Sequence, residues 1–430
     1  MTDSSNNYSS DHTYSHKSGQ LSLFFLGVMF SPLVYIDQII PVCALLFIYT
    51  TLSSLTLYNT HRNFVQPSII VMTICAIYSM VFPIYFSLGG ERIANVSRES
   101  VLLGLKYSYL FMFVFTNFGV FFRKNNFYAL GQSKIKFSKF SLWAVFLFFS
   151  CIFLPALIGV DGNISKAERM TEGVSVFQSF FGGILLPFSL IQVYSLEIKR
   201  KFEKVSLILV ICVGIVGFIA LGERDMLLHP IIICVVIYGF FFQPGIIKIL
   251  ISAFTVIFIL YVMGLVRTYT ESGIARPTFS LLMILQENEF ISSARNLSVI
   301  IDNGIPNANT FLGDILYPFG VNAFPTGSMW FSDNFYENKG FGIIAEGVVN
   351  SEFFGVIFVS IIMSSILHFI YLRSFNSMIY RSIYPIVIIG ALYALRSDLA
   401  SLTSAGVRKI LIPLAIIFIL DRLLKKKLII

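Results

Sequence analysis

Charge is scarce in this 430-residue chain, where Asp, Glu, Lys and Arg together make up only 13% of the residues. A soluble domain carries roughly 25%, so a water-facing surface of ordinary extent is excluded. The chain is 56% hydrophobic with a mean hydropathy of +0.80, which defines an integral membrane protein. Cysteine is also sparse. Cys43, Cys75, Cys151, Cys212 and Cys234 all lie within apolar runs and form no CxxC pair. That excludes a disulfide framework or a thiolate metal site and predicts buried bystanders. HExxH, GxSxG and P-loop patterns are missing, as is a DxD pair near a membrane face. Neither an ATP-driven nor a metal-dependent mechanism finds support, and no cofactor and no metal are expected. The net charge of +8 raises the question of a nucleic-acid partner. The positive residues sit in short loops between apolar runs, which is a topology signal and excludes nucleic acid.

What the chain has in abundance is apolar runs, with 45 Phe and 20 Tyr among them. They predict an all-α, polytopic membrane helix bundle of about twelve spans, each close to the length that crosses a ~30 Å hydrocarbon core. The expected spans are 20–36, 39–58, 67–87, 101–122, 140–159, 173–194, 205–221, 227–242, 249–266, 346–372, 382–395 and 407–421. Residues 1–19 are polar and read as a disordered cytoplasmic tail, not a cleaved signal peptide. With that tail inside, Lys17, Arg62, the runs 123–139 and 199–204, Lys248, Arg373, Arg381, Arg422 and Lys425 to Lys427 place 18 positive charges on the inner side. Only 8 fall in the short outer loops. This bias predicts a bacterial inner-membrane protein with both termini cytoplasmic.

The domain plan is then a bundle over 20–266, a large periplasmic loop over 267–345, and a second bundle over 346–430 with a basic cytoplasmic C-terminus. The loop is far longer than a connection between helices requires. Its first part, SLLMILQENEFISSARNLSVIIDNG, has the periodicity of one or two amphipathic helices. Its second part, rich in Asn, Gly, Pro and aromatics, predicts loops lying on the bundle as a lid.

Ionisable side chains at a hydrocarbon boundary are costly and are functional candidates by default. Arg224 and Asp225, within Gly222-Glu223-Arg224-Asp225-Met226, fall at the outer face with His229 one helical turn inward. A guanidinium fork there suits phosphate oxygens, while a snorkelling arginine in a turn is the structural alternative. Arg267 ends a span, and Arg276 and Arg295 follow in the outer segment, facing the same mouth or serving as interfacial anchors. Glu346 and Asn350 are four residues apart and share a helix face, with Glu352 close behind. The macrodipole would welcome one acid at that helix start but does not account for the whole polar stripe. Arg396 and Asp398 close another span, either as a structural bridge or facing the chamber of Arg224. His368 reads as a packed, neutral side chain.

The sequence GFG-IIAEGVVNSEFFGVIF, together with GERDM earlier and RSD later, resembles the Wzy-type oligosaccharide repeat-unit polymerases of bacterial O-antigen and capsule. The architecture resembles that family over most of the chain, and the motifs resemble it over a few short stretches. Ser351-Glu352-Phe353-Phe354-Gly355 departs from the family pattern, in which an aromatic residue and Gly directly follow the Asn.

The resemblance implies a glycosyltransferase acting on undecaprenyl-pyrophosphate-linked oligosaccharides, within membrane lipid and with a chain-length regulator protein as a further partner. The leaving pyrophosphate then calls for fixed cations, which assigns Arg224, Arg267 and Arg396 to a clamp, Arg276 to the same mouth and Arg295 to the lid. A carboxylate deprotonates the acceptor hydroxyl, with Glu346 first and Asp398 or Asp225 second. Asn350 joins the substrate-binding set, and Tyr317, Trp330, Phe331 and Tyr336 stack on sugars or pack the lid. Two other readings remain open. A lipid-linked oligosaccharide flippase would carry its cations in a central cavity, and an O-antigen ligase shares the donor.

Overall fold

The computed structural model describes residues 7–61, 63–90, 95–121, 137–158, 175–221, 225–245, 290–305, 307–321, 323–335 and 340–427. Every regular element among them is helical. The α-helices are α1 (Asn7–Phe30), α2 (Ile39–His61), α3 (Pro67–Tyr85), α4 (Arg98–Phe121), α5 (Lys139–Ile158), α6 (Ser175–Lys199), α7 (Lys204–Leu221) and α8 (Asp225–Phe242). They continue with α9 (Ile291–Asp302), α10 (Phe311–Leu316), α11 (Gly327–Phe335), α12 (Ile343–Ser374), α13 (Met378–Arg396), α14 (Leu399–Ser404) and α15 (Ile412–Lys427).

Among the described residues, eight helical stretches are long and apolar enough to cross a membrane, in keeping with a multi-pass bundle. Three expected spans appear as shorter apolar helices, Gly19–Tyr35, Lys139–Phe153 and Lys204–Phe218. The span expected at 249–266 lies outside the described residues. Prolines 83, 187, 230 and 385 sit inside helices, a placement that membrane helices tolerate better than soluble ones. Hydroxyls in apolar helices satisfy themselves locally, as Thr50 does on the Leu46 carbonyl at 2.8 Å and Ser150 on Phe146 at 2.8 Å.

Several expectations need correcting. Residues 7–19 continue the first apolar helix toward the N-terminus, since extension is cheap once a helix is nucleated. The last span begins at Leu399 instead of 407, so Arg408 and Lys409 lie well inside it rather than at its start. The Lys409 stem lies against Gly182, where a Cβ would come within 2.9 Å of its Cγ. Cys43 and Cys75 are buried, but Cys151 and Cys212 are exposed. A span is apolar on its lipid face as well as its packed face, so an apolar run alone does not imply burial.

Two compact units emerge, each drawn from several parts of the chain. The first comprises residues 1–129, 279–372 and 390–404. In it α3 packs on α2 and α4, and α9 lies against both α3 and α4. Leu297 of α9 sits beside Gly104, where a Cβ would be 3.5 Å from its Cδ2, and Phe290 meets the Tyr78 ring at 4.8 Å. Asp302 ends α9 by accepting the Ser97 N–H at 3.0 Å and the Ser100 hydroxyl at 2.8 Å, at the start of α4. This amphipathic helix therefore runs along the membrane helices and buries Asn296, Leu297, Ser298 and Ile300.

The second unit comprises residues 130–278, 373–389 and 405–430. Its most buried charge is Arg381, 1% exposed, which the charge count above treats as a loop residue. Its Nη1 donates to Glu197 Oε1 at 2.6 Å, its Nε to the Ser374 carbonyl at 3.0 Å and its Nη2 to the Phe375 carbonyl at 2.9 Å. The guanidinium also stands 5.4 Å from the Phe241 ring centroid.

Candidate functional site

The backbone of α12 breaks at Ser351 and Glu352, where Glu352 adopts φ 45 and ψ −123. That conformation is rare for a residue with a side chain. In a straight helix residues eight apart stand ~12 Å from each other. Here Gly347 and Gly355 are in backbone contact: a Cβ on Gly347 would lie 2.8 Å from the Val356 nitrogen, and one on Gly355 would overlap the Gly347 carbonyl oxygen. Residues 343–350 thus form a short helix folded back on the start of the long one. The sequence reading places Glu346 in the first turns of a continuous span, and the structure places it on this folded-back piece instead.

Within the folded-back helix, Asn350 Nδ2 donates to the Glu346 carbonyl at 2.8 Å and to Thr310 Oγ1 at 2.7 Å, while its Oδ1 accepts the Thr310 N–H at 3.0 Å. Asn350 therefore ties residue 310 to the membrane helix. Four residues on comes Asp314, fully buried beside Gly313, where a Cβ would overlap the Pro325 carbonyl.

Three buried acids, Asp314, Glu346 and Asp398, meet in the first unit. Most of their oxygens have an ordinary task. Asp314 Oδ1 accepts the Gly327 N–H at 3.2 Å and Asp398 Oδ2 accepts the Ser328 N–H at 3.0 Å. With Thr326 Oγ1 taking the Met329 N–H at 3.3 Å, the first turn of α11 is capped by side chains, as helix N-termini require. Glu346 Oε2 accepts the Leu399 N–H at 2.7 Å and caps α14. Favourable placement of acids at two helix starts explains this much.

It does not explain the remaining two oxygens. Glu346 Oε1 and Asp314 Oδ2 are buried, and neither receives a donor hydrogen from an ordinary amide or hydroxyl. The two carboxyls lie close enough to interact with each other. Buried carboxyls in such proximity disfavour a charge on both at once. Burial pushes the Asp314 carboxyl up to about 7, and Asp398 adds to the rise. The contact with Glu346 and the N–H groups of Gly327 and Ala400 act in the opposite direction.

The turn at Arg396, Ser397 and Asp398 joins the same assembly. The Gly342 N–H donates to the Ser397 carbonyl, and Ser293 of α9 donates to the Arg396 carbonyl at 3.4 Å. Asn296 of α9 donates to the Gly340 carbonyl at 2.5 Å. Arg396 and Arg295, both half-buried, are therefore carried by elements that touch. Asp398 Oδ1 has only long contacts, to the hydroxyls of Ser397 at 3.4 Å and Ser401 at 3.5 Å.

The other candidates fall elsewhere. Arg224, Arg267, Arg276 and Tyr336 lie outside the described residues. Asp225 opens α8 in the second unit and interacts electrostatically with His229 and Lys409 there. Tyr317 is half-buried after α10, and Trp330 on α11 meets Phe335 and Phe341 edge-on at 6.0 and 6.2 Å. Phe331 is fully buried against Phe341 at 5.5 Å, so it packs rather than presenting a stacking face. His368 is buried between Ser68 at 3.0 Å and the Ser364 carbonyl at 2.9 Å.

Asp314 is the residue that sequence reading missed. The signal was present: it is the only side chain charged at neutral pH between Asp302 and Asp333. Among the described residues no group of His, Cys, Asp and Glu has the geometry to hold a metal. No family model, curated protein or solved structure matches the chain. Fold and site together define a multi-pass helical membrane protein in which a buried acid cluster anchors an arginine-bearing turn.

Proposed function

We propose that the chain is a bacterial inner-membrane glycosyltransferase that polymerises undecaprenyl-pyrophosphate-linked oligosaccharide repeat units at the periplasmic face, with both termini cytoplasmic. The supporting observation is the Arg396–Asp398 turn, which is locked to Glu346 through Leu399 and to α9, the helix of Arg295, through Ser293. Fixed cations on a rigid turn are what a departing pyrophosphate needs, because preorganised charge requires no rearrangement as the bond breaks. In this reading the bond from the anomeric carbon to the pyrophosphate oxygen breaks, and the acceptor hydroxyl oxygen forms the new glycosidic bond. Asp398 Oδ1, held only by the long contacts to the Ser397 and Ser401 hydroxyls, takes the hydroxyl proton. Glu346 and Asp314 act as positioning residues.

The test uses cells that assemble this protein's own glycan, deleted for the gene and complemented with Arg396→Ala, Asp398→Asn or Glu346→Gln. Surface glycan is resolved on gels. The expected result is a lipid capped by a single repeat unit with the polymer ladder lost for Arg396→Ala and Asp398→Asn, and a weakened ladder for Glu346→Gln. Loss of every surface repeat unit, the single one included, would point to flipping or ligation and overturn the reading.

A further inference from the structure

Residues 303–332 contain a single side chain charged at neutral pH, Asp314, and it is fully buried. The outward surface of this stretch therefore carries no charge, whereas a water-facing surface is roughly a quarter to a third charged. Its exposed polar side chains include the neutral amides of Asn307 and Asn309. What it does present is apolar: Leu312 and Ile315 are each 47% exposed and Phe319 65%, spaced three and four apart, with Val321 and Phe324 beyond.

The stretch is also tied to a membrane helix below its end. The Ala308 N–H donates to the Val349 carbonyl at 2.9 Å, and Phe311 packs on Phe358 with ring centroids 5.4 Å apart. Phe358 lies five residues into the long limb of α12, ~8 Å along its axis. It is itself half exposed, as are Phe353 and, more fully, Phe354. Through the Phe311–Phe358 contact the apolar face of 312–324 adjoins the exposed aromatic surface of that helix, with the exposed Glu352 at the turn before Phe353.

We infer that residues 308–324 form an interfacial layer sunk among the lipid acyl chains of the adjacent leaflet, and that the bilayer is the partner of this face. Asp314 points inward to the acid cluster while Leu312, Ile315 and Phe319 point to lipid, the division expected of an amphipathic element lying in a membrane plane. The inference stands apart from the proposed reaction and does not depend on it.

The experiment uses the full chain with Trp143 and Trp330 changed to Phe and a single reporter, Phe319→Trp, in phosphatidylcholine vesicles. Asp333→Trp, at an exposed charged position on α11, is the water-facing reference. The expected result for position 319 is blue-shifted emission that loses most of its intensity with acyl-brominated lipid and little with acrylamide. Quenching by acrylamide but not by brominated lipid would show a water-exposed face and overturn the inference. Blue-shifted emission insensitive to both would mean that protein, not lipid, covers the face, and would overturn it too. A nitroxide on Ile315→Cys gives an independent reading: collisions with oxygen should exceed those with a water-soluble nickel chelate, and the reverse order would reject the inference.

Discussion

Asp314 and Glu346 meet carboxyl to carboxyl, with Glu346 Oε2 fixed on the Leu399 N–H at 2.7 Å and Asp314 Oδ1 on the Gly327 N–H at 3.2 Å. The pair brings the 310–335 segment against the folded-back helix, and a proton on Asp314 removes the repulsion between the two carboxyls. Asp314 is raised from an ordinary 3.8 to about 7. A carboxyl with a raised value in the folded state contributes stability that is complete below about 4 and is lost as pH climbs to about 7. The melting temperature of detergent-solubilised protein should therefore fall between pH 5 and pH 8. Asp314→Asn keeps an acceptor for Gly327 and supplies a permanent donor to Glu346. Its advantage over the parent should widen across that range, to on the order of 1–3 kcal/mol at pH 8. Parallel pH profiles for parent and variant would reject the proton on Asp314.

The fold-back of α12 depends on two glycines. A methyl on Gly355 would overlap the Gly347 carbonyl oxygen, which belongs to backbone and has little freedom to retreat. Gly355→Ala should cost at least ~1–3 kcal/mol by overpacking and should release Asn350 from Thr310. Gly406 makes the comparison, since a Cβ there meets nothing within 4 Å. Gly406→Ala should leave the melting temperature unchanged or slightly raised. Equal effects from the two substitutions would show that the crossing is not tight.

Much of the architecture was legible because hydrocarbon imposes a simple rule: a span must be apolar and helical over its whole length. Eleven of the expected spans have a helical counterpart for that reason. What the sequence concealed was direction. Nothing in IIAEGVVNSEFFG marks a reversal except its glycines, and glycine in a membrane helix has several uses. Glu346 and Asp398 were legible as costly charges near hydrocarbon. Asp314 was not, because it sits in a segment whose composition reads as loop, and its isolation among twenty-nine uncharged neighbours carried the information instead. Arg381 was miscounted because a positive residue between apolar runs looks the same whether it faces headgroups or folds inward onto Glu197.

Arg381 provides the last test. Its guanidinium serves three acceptors at once, Glu197 and the carbonyls of Ser374 and Phe375, and a lysine ammonium on a flexible stem cannot reproduce that planar fork. Arg381→Lys should therefore behave as a loss, not a conservative change. Arg381→Met strands the Glu197 carboxylate and both carbonyls. Breaking a buried pair costs ~3–5 kcal/mol, and because the Glu197 side chain is 21% exposed the lower end of that range is expected. Adding Glu197→Gln to Arg381→Met removes the stranded charge but leaves the two carbonyls without their donor. The double variant should thus recover part of the loss and stay below the parent. A thermal-unfolding cycle over the four proteins separates the contributions, and a coupling near zero would show that the ion pair adds nothing beyond the carbonyl contacts.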